Sequence, residues 1–320
     1  MAGIITGTLQ TYQEIGIRED LSDIIYNIAP TETPLLNNAG RGKVSTTFGE
    51  WQTDTLASAV STNQQIEGDD ITSFASVTPT VRLGNYTEIA RKDLIVSDTA
   101  EAVNKAGRKS EVAYELAKLG KELKRDMETS LCANKGAVAG NTSTARQTGS
   151  LLAFLKTNID KASGGVAPVY TNIPTDVWTD GAQRTFTETI LKNVIQQCWT
   201  QGANPKTVMV GALGKQAVSG FAGVVELTRP QNNNSPTTII GAASAYVSDF
   251  GTLTVVPNRF QRTSTAFVLD WDFISVDYLR PFRQVPLAKT GDAEKRLLTA
   301  EYMLRVKNEK AEGCAVDLTP

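Results

Sequence analysis

No histidine occurs in the 320 residues. That removes Ser-His-Asp and Cys-His catalysis, and with them the commonest general base and metal ligand. Cysteine is scarce: Cys132, Cys198 and Cys314 are far apart, odd in number and without a CxxC pair. They build neither a disulfide framework nor a zinc ribbon, and read as small core residues of a reducing, intracellular compartment. No apolar run reaches the about 18 residues of a membrane-spanning helix. The opening MAGIITGTLQTYQE lacks the basic start and apolar core of a signal peptide. Charge of one sign is missing too. Lys+Arg number 32 against 34 Asp+Glu, a net charge of −2. This argues against a basic protein that coats nucleic acid by neutralising phosphates. It leaves open one that faces nucleic acid without gripping it.

What is present is a globular composition, 41% apolar and 21% charged, enough for one large core or two modest ones. The chain is organised around a helix expected over residues 111–133. Val112, Leu116, Leu119, Leu123, Met127 and Leu131 recur at steps of three and four and draw one stripe. Lys118, Lys121, Glu122, Lys124, Arg125 and Glu128 are assigned to the opposite face, with Lys118/Glu122 and Lys124/Glu128 spaced to pair. Gly120 is its weak point.

Ahead of this helix, residues 11–29 form a broad apolar face (Tyr12, Ile15, Leu21, Ile24, Ile25, Ile28) that Pro30 terminates. APTETPLLNNAG follows as turn chemistry, with Leu35 and Leu36 as an apolar hook. Such an arm has no core of its own and must lie on the rest of the chain or on a neighbour. Residues 43–96 read as two long strands around a polar excursion whose tip carries Glu67, Asp69 and Asp70. A lone two-stranded ribbon is marginal in water, so it is expected to rest on something else, such as another subunit. Ser97 and Asp98, with Glu101 in the first turn, predict a helix over 98–109.

Beyond the long helix, residues 134–184 are mostly connection. An α/β pattern then begins: a helix from a Thr187 cap to about residue 201 closed by Gly202, the buried strand PKTVMVGA, a second helix in LGKQAVSGF, and a polar loop over 228–236. Strands are expected over 245–256 and 265–278. In 295–307, Leu298, Ala300, Tyr302, Leu304 and Val306 alternate with Thr299, Glu301, Met303, Arg305 and Lys307.

Candidate chemistry is thin. Asp270 and Asp272 would share one strand face, close enough for paired-carboxylate or divalent-metal chemistry, with Asp277 further along. A solvated strand face explains them better, since no further ligands stand at a readable spacing. NPKTVMVGALGKQ is neither GxxxxGK[ST] nor GxGxxG; strand, turn and helix account for it. Glu67, Asp69 and Asp70 do not have EF-hand spacing and read as a solvated tip or an intersubunit charge contact. No catalytic, cofactor or metal site is expected.

Residues 18–37 (REDLSDIIYNIAPTETPLLN), Phe48 and Trp51 at the hairpin base, the RKDLIVSDTAE lead-in to the long helix and its CANKGA ending carry a resemblance. The chain resembles the major capsid proteins of tailed bacteriophages with the Hong Kong 97 fold, closest to the podovirus-like major head protein group. The resemblance implies an α+β fold in five parts: an N-terminal arm (1–42), an extended loop (43–92), a peripheral domain (93–184) with its spine helix, an axial domain (185–265), and return strands to the peripheral domain (266–320). It implies a structural protein and no enzyme, assembled as hexamers and pentamers into an icosahedral shell around double-stranded DNA in the host bacterial cytoplasm. Its partners would be further copies of itself, a scaffolding protein separate from this chain, a portal and a decoration protein. Intersubunit contacts are expected at Glu67, Asp69, Asp70, Leu35 and Leu36. The alternatives are an encapsulin-like nanocompartment shell, a metal-dependent α/β enzyme using Asp270 and Asp272, and, more weakly, a tail-tube or adhesin protein.

Overall fold

A computed structural model describes residues 31–319 apart from 72, 73, 75, 105, 106 and 222–244. The arm helix expected over 11–29 and the polar loop at 228–236 lie outside the described residues. In chain order the first half contains α1 (Pro34–Asn38), β1 (Gly40–Lys43), β2 (Phe48–Thr53), β3 (Val81–Tyr86), β4 (Glu88–Ser97), α2 (Asp98–Ala102), α3 (Glu111–Cys132), α4 (Leu151–Phe154) and β5 (Ile159–Asp160). The second half contains α5 (Glu188–Thr200), β6 (Thr207–Val210), α6 (Ala212–Ser219), β7 (Ala245–Ser248), β8 (Gly251–Pro257), β9 (Ala266–Leu269), β10 (Ile274–Pro286), β11 (Ala293–Val306) and β12 (Gly313–Ala315).

The long helix α3 runs 22 residues, about 33 Å. Its start is capped twice. Ser110 Oγ accepts from the Ala113 N–H, and the Glu101 carboxylate accepts from the N–H groups of Glu111 and Val112. Those caps, with Gly107 at a left-handed φ of +77°, explain why the helix expected over 98–109 stops at Ala102 and a new one begins. Leu119, Leu123, Met127 and Leu131 are buried, as the stripe requires; Val112 and Leu116 are half-buried. The expected ion pairs are corrected. Lys118 takes Glu115 as its partner, and Lys124 is exposed while Glu128 is wholly buried.

Helix α3 lies on a four-stranded sheet of order β1-β10-β11-β4. The long ribbon β10/β11 is antiparallel from Ile274↔Val306 to Pro286↔Arg296, and β4 adds to β11 from Ser97↔Ala293 to Glu88↔Tyr302. The second expected hairpin strand is therefore two strands. It breaks at Thr87, which turns inward, is fully buried and donates to Glu301 Oε1. β3 stays with β2, and β4 leaves for β11.

The second sheet has six strands in the order β5-β12-β9-β6-β8-β7 and separates two cores. Met209, Phe267, Leu269 and Cys314 face the core under α3; Val208, Val210, Val268 and Ala315 face the core built by α5 and α6. The 2-residue side-chain period of a strand thus supplies both cores from one sheet. The two longer strand expectations divide. Residues 245–256 form the β7/β8 hairpin, and 265–278 is broken by a 3-10 turn at Trp271–Phe273. β9 and β12 belong to the six-stranded sheet, so that sheet crosses the boundary expected at residue 265. Thr187 precedes α5 without a side-chain cap.

The arm meets α3 through one carboxylate. Pro34 opens α1 without an N–H, and Thr33 makes no side-chain cap. Glu128, from α3, accepts the next two donors: Leu35 N–H at 2.8 Å and Leu36 N–H at 3.0 Å. Asn258, just past β8, donates its Nδ2 to the same carboxylate at 2.7 Å. Leu35 and Leu36 are thereby held in the core, at 0% and 8% exposure. Burial pushes the Glu128 carboxyl above its ordinary value, against the pull of its three donors.

Truncation of Leu123 should cost about 2–5 kcal/mol through transfer and cavity terms, read as a lower denaturation midpoint of the unassembled subunit. Glu128→Ala should cost about 1–3 kcal/mol for each donor left unpaired, and Glu128→Gln less, since one acceptor oxygen remains. A carboxyl whose folded pKa is raised stabilises most below its unfolded value and loses that contribution as pH rises towards the folded one. The stability of the parent chain relative to Glu128→Gln should therefore fall as pH rises from near 4.5, measured by urea titration of both proteins across that range.

Candidate assembly surfaces

The β2/β3 hairpin is rooted in this chain. Its register runs from Phe48↔Tyr86 to Thr53↔Val81. The Phe48 and Tyr86 rings lie 4.8 Å apart, Trp51 sits 6.0 Å from Phe154, and the Arg305 guanidinium lies 5.6 Å over the Trp51 ring. Asn85 is the clamp. Its Nδ2 donates to Thr148 Oγ1 and to the carbonyls of Gly149 and Leu304, and its Oδ1 accepts from the N–H groups of Gly149 and Tyr86. At Gly49 a Cβ would stand 2.3 Å from Met303 Cε, so a side chain there would have to push the end of Met303 aside. This cover explains why Thr299, Glu301 and Met303 are buried along with the alternate face of β11. The hairpin was expected to rest on something else, and its root does, on other parts of this chain.

Beyond the root the chain changes. Every described residue from 54 to 80 is exposed, and none is in a helix or strand. Leu56, Val60, Ile66, Ile71, Phe74 and Val77 are all exposed, Leu56 at 99% and Val77 at 91%. Exposed apolar side chains in such number on one segment mark an interaction surface. At the tip, the Asp69 N–H donates to the Ile66 carbonyl at 3.1 Å, and Gly68 has φ +82°, a conformation glycine adopts freely. The turn puts Glu67, Asp69 and Asp70 together in solvent. Extended at about 3.3 Å per residue, the segment can carry them up to roughly 45 Å from the root.

Leu35 and Leu36 do not join them. Expected at a subunit contact, they are core residues of this chain because Glu128 draws the arm inward.

The charged residues of the interior are braces. Glu301, 3% exposed, is held by Arg280 at 2.7 Å, by Arg146 and by Thr87. Asp277 takes Arg305 at 2.6 Å and the Ser275 hydroxyl. Glu88 takes Lys135 at 3.1 Å and the Tyr302 hydroxyl, whose pKa burial raises well above the usual phenol value.

The paired-carboxylate idea fails on geometry. Asp270 caps the 3-10 turn by accepting from the Asp272 N–H, while Asp272 turns to solvent and pairs with Lys206 at 3.3 Å. The buried neighbour of Asp270 is Glu312, whose Oε2 accepts the Asp270 N–H and whose carboxyl burial raises well above the ordinary value. Among the described residues no three His, Cys, Asp or Glu side chains are grouped to hold a metal. Cys132, Cys198 and Cys314 are free and buried. The lysine of NPKTVMVGALGKQ, Lys215, donates to the Val255 carbonyl at 3.1 Å, a strand-to-helix brace. No helix among the described residues is long and apolar enough to cross a membrane.

Glu128 and Asn85 were the residues missed from sequence. A signal existed for the first: Glu128 is one step from Met127 and three from Leu131, at the edge of the stripe. None existed for Asn85, whose partners other than its neighbour Tyr86 are 63 to 219 residues away.

Comparison with known proteins agrees with this architecture. The curated major capsid protein of Escherichia phage Phieco32 is 27% identical, over 95% of each chain. Among solved structures, the capsid asymmetric unit of cyanophage A-1(L) superimposes with a TM-score of 0.68 at 12% identity, over 97% of this chain and 99% of that one. The capsid of a native GTA particle gives 0.60 at 10% identity, over 95% and 96%. At these identities the structures speak for the fold alone, which is the α+β Hong Kong 97 capsid fold. Residues 4–319, nearly the whole chain, match the family described as SU10 major capsid protein, and the chain belongs to that family.

Proposed function

We propose that this phage major capsid protein closes its head shell by laying the exposed segment 54–80 on a neighbouring subunit. The observation that carries the reading is the contrast within one hairpin: a root clamped by Asn85, and a stem and tip whose apolar side chains face water. A segment of this kind costs solubility in a lone subunit and gains only when a second copy covers it. Glu67, Asp69 and Asp70 then meet a basic surface of that neighbour, a contact weakened by salt.

In this reading residues 1–42 are the arm, and the segment between β2 and β3 is the extended loop. α3 with the four-stranded sheet is the peripheral domain. The unit built by α5, α6 and their side of the six-stranded sheet is the axial domain, gathered around five-fold and six-fold axes as pentamers and hexamers. A net charge of −2 suits a wall that encloses DNA without binding its sequence. The buried braces around Glu301 and Asp277 support a structural rather than a catalytic role. Assembly takes place in the host cytoplasm, with scaffolding, portal and decoration proteins as separate chains.

The test excises residues 56–78 and bridges the gap with a Gly-Ser turn. The subunit should keep its far-ultraviolet dichroism and elute as a folded monomer, yet give no shells or rings in negative-stain images under conditions where the parent chain, with its scaffold if required, assembles. Shells of normal size from the excised chain would refute the reading.

A further inference from the structure

The second half of α5 meets water without charge. From Asn193 to Pro205 there is no Lys, Arg, Asp or Glu, yet Asn193, Gln196, Trp199, Thr200 and Gln201 are exposed and Gln197 is half-buried. The solvent side of α3 is the ordinary alternative, with Lys118, Lys121, Lys124 and Asp126 exposed. The amides of α5 border an open hollow of about 400 Å³, closed on its other side by Thr157 and Asn158 just before β5. Every residue of its lining bears an amide or a hydroxyl, and none bears a charge.

Part of this lining is fixed and part is free. Thr157 Oγ1 donates to Glu309 Oε1 at 2.6 Å, and Asn158 Nδ2 donates to the carbonyls of Lys310 and Glu312. Asn193 Nδ2 donates to Asp160 Oδ2 at 3.1 Å, and Asp160 also pairs with Arg184. The two carboxylates behind the lining are thereby engaged. The side-chain amides of Gln196, Gln197 and Gln201 make no hydrogen bond among the described residues. Each holds two N–H donors and a carbonyl acceptor ready for a ligand. Trp199 follows Gln196 by three residues and stands next to it on the helix surface. It is 57% exposed, while Trp51, Trp178 and Trp271 are buried or half-buried. Its ring leans on Phe250, with centroids 5.1 Å apart and planes at 33°, so the indole is held in place although open to water. A held, exposed indole with apolar faces and a polar N–H is the kind of side chain that anchors a ligand or partner.

The chemistry selects a ligand class. An anion finds no cation in this lining, and a hydrocarbon finds no apolar floor. A sugar hydroxyl donates and accepts at once, as an amide does, and the C–H face of a pyranose ring packs on an indole. The volume falls at the lower end of small-ligand sites, room for one or two sugar rings. We propose that this hollow binds an uncharged saccharide, either a free sugar or units of a glycan chain. One ring stacks on Trp199, and its hydroxyls bond to Gln196, Gln197 and Gln201. The site is separate from the segment 54–80 and does not depend on where that segment lies.

The experiment measures saturation-transfer difference NMR on the unassembled full-length chain with maltose, lactose and N,N′-diacetylchitobiose at millimolar concentration, and titrates tryptophan emission with whichever sugar binds. At least one of the three should receive saturation from the protein and shift the emission. Dextran, a neutral glucose polymer, separates the sources: maltose bound with dextran inert points to a free sugar, displacement of maltose by dextran points to a glycan chain, and either result supports the site. Trp199→Ala and the triple variant Gln196→Ala/Gln197→Ala/Gln201→Ala should each weaken binding about tenfold with native dichroism, since alanine keeps the helix. Trp199→Phe retains an aromatic face and should stay within about threefold of the parent chain. Absence of saturation transfer to all three sugars overturns the proposal. So does binding that survives both alanine variants unchanged, which would place the sugar elsewhere, or a loss in Trp199→Phe as large as in Trp199→Ala, which would remove the stacking. Tighter binding of 3′-sialyllactose than of lactose would overturn the choice of an uncharged ligand.

Discussion

The Glu128 carboxylate is the constraint on which the described arm depends. It takes two N–H groups from the first turn of α1 and one amide from Asn258, and makes no ion pair among the described residues. A buried carboxylate without a counter-ion is tolerated only when its oxygens are well supplied with donors. Here the donors come from two places, the arm and the end of β8, and the acceptor from a third, the long helix. Desolvation still pushes its pKa up, so the fold carries a cost at this point. What it gains is geometry. Leu35 and Leu36 are seated, β1 follows immediately, and β1 then adds in parallel to β10 from Gly40↔Ser275 to Lys43↔Tyr278.

A second constraint sits at the hairpin root, and it works by contrast. Asn85 makes five hydrogen bonds inside the molecule, and a side chain at Gly49 would have to displace the end of Met303. The strands end at Thr53 and Val81, and from there the chain satisfies almost nothing of itself. Rigidity at the root fixes the direction in which the segment leaves. In the proposed reading, the stretch beyond it, without helix or strand, lets the tip adjust to a neighbour's surface.

The sequence made some of this legible and hid the rest for physical reasons. The apolar stripe of α3 and the buried face of α5 are local periodicities, and local periodicity survives in any tertiary setting. The alternation in β11 was equally plain, but nothing in the strand itself announces that Gly49 will lie on Met303 and Arg146 on Glu301. The break at Thr87 is invisible for the same reason: its cause is Glu301, 214 residues away. Glu128 was assigned to solvent because charged residues on helices mostly face water. The three acids of the tip were found from composition alone and stand where expected, in solvent, while Leu35 and Leu36 were misplaced because the partner that buries them was not recognised.

The distribution of charge follows from these constraints. Carboxylates inside the molecule are each assigned a role: Glu301 and Asp277 neutralised by arginines, Glu128 by amide donors, Glu312 held with its pKa raised by burial. None of these is available for contact with another molecule. The acids of the tip are the reverse, exposed and in no ion pair among the described residues. A single exposed pair contributes little in water, which suits a shell. Each contact must be weak enough to form, break and re-form while subunits find their places, and closure of the shell then multiplies it over every copy. Strong pairs are spent inside, where the subunit must not change, and weak ones are left outside, where the assembly must.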